Sequence, residues 1–219
     1  MRLQDWPPAD RRVAWSLAAY VVLLALLPVV LPEHVFERAF SERGPFEQLS
    51  IVGWLLVALV VLLRIRPLGR RAAAFALLGV LLAAREADWH KAFTTDSLLK
   101  TGYYRDVAAP LQEKLLAGLA AAVLIGLLVY VGLFVARFLL RQGGWRSRSG
   151  LWLAGAAVLI VLGKGIDRAP AVLLEEHGIA LRPAARRTAT AFEEGLELIH
   201  PLLVAWSVWV SQAERRYLS

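Results

Sequence analysis

Glu193, Glu197 and His200 are separated by four and three residues, a spacing that aligns them on one face of an α-helix over about two turns. Glu194 adds a carboxylate three residues before Glu197. A second set stands upstream, where Glu86 and His90 are four residues apart; on a helix they share a face, with Asp88 turned away by about 200°. Carboxylate and imidazole are ligand types for a divalent metal, and in a chain without cysteine the expected ion is zinc or iron. The sequence predicts a metal site drawn from His90, Glu193, Glu194, Glu197 and His200. A bound metal lowers the pKa of its water, and Glu47, Glu86 or Asp88 would take the proton during attack on a lipid ester, amide or phosphoester. Arg85, Lys91, Lys164, Asp167 and Arg168 flank these groups and form the expected substrate-binding set, with the cations holding an anionic head group.

Glu197-x-x-His200 has the spacing used by carboxylate-bridged dimetal bundles, which carry it twice. Here the second copy, Glu86-x-x-x-His90, is one residue longer. Glu47-x-x-Ser50 with Asp88 and His90 distantly resembles the superfamily of membrane hydrolases that includes the alkaline ceramidases, in which Ser, Asp and three His surround zinc. That resemblance implies zinc-dependent hydrolysis. The chain departs from the pattern in its last apolar segment, where Glu193 to His200 replaces a His-x-x-x-His. Pro201 follows His200, removes a backbone donor and should loosen the preceding turn.

The elements that must position these residues are apolar runs. The chain of 219 residues is 58% hydrophobic with mean hydropathy +0.54, more apolar than an ordinary soluble domain. A hydrocarbon core of about 30 Å needs roughly 20 residues per helical span. Six runs qualify: 13–31, 46–63, 72–90, 111–140, 150–167 and 191–211. The expected fold class is therefore all-α, a single integral membrane domain over 1–219, built as a polytopic bundle of about six spans. The first run follows Arg11 and Arg12 and ends in Pro32-Glu33-His34, not in a small-residue cleavage site, so it reads as a retained span.

Arg64, Arg66, Arg70 and Arg71 fill one short connection and Arg137, Arg141, Arg146 and Arg148 another. By the positive-inside rule these loops and both termini are cytoplasmic, in a bacterial-type inner membrane. Of the 18 acidic residues only Asp5, Asp10 and Glu214 fall on that side. The carboxylates and imidazoles thus gather at the outer ends of the spans, where unpaired they cost several kcal/mol and mark function. The outer connections 91–110 and 168–190 are long; residues 93–100, continued by Tyr103 and Tyr104, read as an interfacial helix with a tyrosine belt.

The net charge of +7 comes from arginines flanking apolar runs, so the expected partner is membrane lipid and not nucleic acid. No phosphate loop, dinucleotide fingerprint or Gly-x-Ser-x-Gly elbow occurs. The residues favour a metal-dependent hydrolase of a membrane-embedded substrate. Three alternatives stand beside it: a non-catalytic subunit or assembly factor held by ion pairs, a proton- or cation-coupled transporter, and a haem protein using His90 and His200. Small residues such as Gly118, Gly126 and Gly132 permit close helix approach to a second copy or a partner membrane protein.

Overall fold

A computed structural model of the chain describes residues 6–41, 43–89, 94, 101–105 and 110–211. Among these the regular structure is helical: α1 (Pro8–Val30), α2 (Glu33–Ala39), α3 (Pro45–Arg64), α4 (Arg70–Glu86), α5 (Thr101–Arg105), α6 (Leu111–Ala136), α7 (Arg148–His177) and α8 (Pro183–Val210). Prolines open α1, α3 and α8, where the missing N–H is one that no helical turn would use. Ser147 caps α7, its Oγ accepting from the Gly150 N–H at 3.0 Å. A π-helical turn, Arg137–Arg141, and a 3-10 turn, Gly144–Arg146, join α6 to α7 through left-handed Gly143.

Among the described residues four helices are long and apolar enough to cross a bilayer: α1, α3, α6 with its π turn, and α7. Large apolar side chains such as Val29, Leu111 and Leu133 stay more than 60% exposed, a surface that suits lipid and would aggregate in water. The chain is an all-helical membrane protein.

The centre belongs to α8, which packs against α1, α3 and α7, while α3 also packs on α4 and α4 on α6. Val57, Ala58, Val61, Ala72, Ala76, Ala205 and Val208 join α3, α4 and α8. Trp152, Ala156 and Leu203 join α7 to α8 against Trp6 and Leu17. Tight glycines set the spacing: a Cβ on Gly195 would lie 2.4 Å from Leu24, and one on Gly53 would lie 2.7 Å from Pro201 Cγ.

The helices depart from the apolar runs at their outer ends. The fifth run was expected to stop at Asp167, yet α7 continues through Pro170 to His177, where left-handed Gly178 at φ +65° ends it, its N–H donating to Leu174 O as in the αL motif. The sixth was expected from Ala191, yet α8 starts at Pro183. The third was expected to run to His90. Instead α4 stops at Glu86 and Asp88 takes φ +52°, a left-handed turn that Asp tolerates better than most residues. The helical face expected to be shared by Glu86 and His90 falls at this boundary, and His90 lies outside the described residues, as do Lys91 and most of 93–100. Tyr103 is buried against Ala117 and donates to Glu113 Oε1 at 2.8 Å, packing inward where a head-group belt was expected.

Candidate functional site

Pro201 shapes the site from within α8. Lacking an N–H, it cannot bond the carbonyl of Glu197 four residues back. The Ser50 hydroxyl of α3 donates to that carbonyl at 3.3 Å, and buried Pro201 packs on Gly53 one turn further along α3. α8 stays helical through the proline instead of loosening, because a neighbouring helix supplies the lost donor.

Glu197 is thereby held facing α7. Lys164 Nζ lies 3.3 Å from Glu197 Oε1 and 3.2 Å from Asp167 Oδ2, bridging the two helices. The Glu193 and Asp167 carboxyl groups are within hydrogen-bond reach of each other, and two such groups repel unless something positive lies between them. Glu86, Glu47 and Glu194 come within electrostatic range of one another or of Glu197. Glu86 is paired with its neighbour Arg85 at 2.9 Å, and Glu47 accepts the backbone N–H of Arg43. Arg168 is exposed. The start of α3, the end of α4, the 164–167 stretch of α7 and the 193–197 stretch of α8 thus bring together Glu47, Glu86, Asp167, Glu193, Glu194 and Glu197 around Lys164 and Arg85, with carboxylates in excess of cations among the described residues.

His200 lies one turn deeper. It is 7% exposed and lies near Leu159 of α7, and its Nε2 has no partner among the described residues. The ring packs beside Gly163, whose added Cβ would sit 3.5 Å from Cε1. No three or more His, Asp or Glu side chains among the described residues converge on one point as a metal shell would require. The expected ligands Glu193, Glu194, Glu197 and His200 share a region, then, without forming a closed set; His90 is not among the described residues.

Two clefts open beside this centre. One of about 400 Å³, between α3 and α4, has Glu47, Asp88, Arg43 and Trp89 on its wall. The other, about 470 Å³, lies between the outer part of α7 and the start of α8 and is lined in part by Asp167 and Glu193.

The most completely satisfied carboxylate is at the opposite end, and the sequence did not single it out. Asp10, 1% exposed, accepts from Arg148 Nε at 2.6 Å, Trp152 Nε1 at 3.2 Å and Trp206 Nε1 at 3.0 Å. It fastens the start of α1 to the start of α7 and the end of α8. Its one local signal was an acidic residue in a first helical turn, which complements the helix dipole.

No protein-family model, curated protein or solved structure matches the chain. Its class rests on the fold, an all-helical membrane bundle with an acid-rich end.

Proposed function

We propose that the chain is a six-span inner-membrane protein, with both termini cytoplasmic, whose outer end forms a cation-dependent hydrolytic centre acting on a membrane-embedded substrate. The observation that carries this reading is the surplus of carboxylates beside a buried imidazole whose Nε2 is unclaimed. Among the described residues Lys164 pairs with Asp167 and Glu197 and Arg85 with Glu86, so two cations face six carboxylates, and charge left uncompensated at this depth is costly. A buried imidazole nitrogen left bare beside carboxylates is what a metal-ligating histidine offers. His200 would be the first ligand of zinc or iron and Glu197 the second, with Glu193, Glu194 or His90 completing the shell. Glu86, Glu47 or Asp88 would accept the proton of the attacking water, and Lys164 or Arg168 would hold an anionic part of the substrate.

Elemental analysis of detergent-purified wild type beside the double variant Glu197→Ala, His200→Ala tests the reading. The expected result is near-stoichiometric metal lost in the variant; wild type without metal sinks the hydrolase.

Lys164 favours a second reading. It bridges Asp167 and Glu197 across two helices, as a non-catalytic subunit fastened by ion pairs would require. Lys164→Met separates the two readings: structural pairing predicts a lower unfolding temperature, whereas a metal centre predicts retained or tighter metal binding once Glu197 is released.

A further inference from the structure

The cleft between α7 and α8 lies at a particular depth. At 30 residues α7 is about 45 Å long, so beginning at the inner face it overshoots a hydrocarbon core of about 30 Å by roughly ten residues. The overshoot runs from about Asp167 to His177, and the first turns of α8 run beside it. The cleft they enclose, about 470 Å³, therefore sits at the level of the outer head groups. Its polar wall holds Asp167, Glu175 and Glu193 with Arg186, and its apolar wall includes Leu174 and Leu181. Among the described residues no carboxylate pairs with Arg186. A guanidinium and three carboxylates lining one partly apolar cleft complement a group that carries one phosphate and one amine on an acyl body.

We propose that this cleft binds the head group of an amine-bearing zwitterionic phospholipid. Arg186 takes the phosphate, Asp167 and Glu193 take the ammonium with Glu175 at the rim, and the chains leave along Leu174 and Leu181. The assignment gives the substrate class of the outer-leaflet centre and rests on that reading, because Asp167 and Glu193 belong to both.

The test uses the full chain reconstituted in phosphatidylglycerol vesicles carrying a photoactivatable phosphatidylethanolamine analogue, with cross-links mapped by peptide mass spectrometry. Labelling is expected between residues 170 and 190, displaced by unlabelled phosphatidylethanolamine and not by further phosphatidylglycerol. Arg186→Gln and Glu175→Gln, both on the solvent-exposed overhang, should each reduce it about tenfold, the effect of one lost hydrogen bond to a charged group. Cross-links confined to other segments, or equal displacement by phosphatidylglycerol, overturn the proposal, and both comparisons need only wild type. Metal content of the same vesicles separates the two ideas. Labelled cleft without metal defeats the metal centre alone, and metal with labelling elsewhere defeats the cleft alone.

Discussion

Asp10 is held by a guanidinium and two indoles from helices far along the chain, and each donor has lost water to reach it. Removing the acceptor leaves Trp152, Trp206 and Arg148 with nothing to replace it. Asp10→Ala should therefore cost about 3 kcal/mol, the low end for a broken buried pair because Arg148 keeps some solvent. Thermal unfolding in detergent reads this directly, and Asp10→Asn, which keeps an acceptor for the indoles, should lose less. Ser50 makes a smaller contribution of the same kind. Ser50→Ala leaves the Glu197 carbonyl without either its helical donor or its substitute, at a cost of about 1–3 kcal/mol. The same measurement on Ser50→Ala in a Pro201→Ala background should show much less, since alanine restores the N–H; an undiminished loss there would mean that the hydroxyl matters for another reason.

Helix against helix, the spacing is set by missing side chains. Gly195 faces Leu24 of α1 and Gly53 faces Pro201 of α8, both at distances a methyl group cannot share. Gly195→Ala should push α1 from α8 and destabilise by about 1–3 kcal/mol. Gly126, with open space around it, is the control: Gly126→Ala should be neutral or stabilise by about 0.5–1 kcal/mol through helix propensity. A loss at Gly126 equal to that at Gly195 would refute the packing argument. At this scale the apolar runs made most of the long helices legible, since a bilayer-spanning segment announces itself by composition. Their outer ends were not legible in the same way. Glu175, Glu176 and Pro170 read as loop, yet a helix already nucleated through its apolar part tolerates charges where it leaves the membrane. Gly178 was the available stop signal. The gathering of Glu86, Asp167 and Glu197 could be guessed from depth alone, whereas the indoles on Asp10, 142 and 196 residues away, carry no local trace.

For the whole molecule, the Asp10 cluster bears on topology. Asp10 begins α1 and Arg148 begins α7, and their contact puts both on one side of the membrane. An even number of crossings must separate them. The four apolar helices alone give three, α1, α3 and α6, so the proposed six-span arrangement assigns the fourth crossing to α4, which has 17 residues. Trp206 near the end of α8 touches the same carboxylate, so α7 and α8 together also return to that side. On the proposed reading the count is six, with the basic loops inside as the positive-inside rule asks. The absence of cysteine makes this directly measurable. Single variants Glu37→Cys and Glu176→Cys should react with a membrane-impermeant maleimide in spheroplasts, whereas Arg66→Cys and Gln142→Cys should react only after permeabilisation. A four-span chain would reverse the outcome at Glu176 and Gln142 and leave Glu37 and Arg66 unchanged, and it would place the acid-rich ends of α4 and α7 in the cytoplasm.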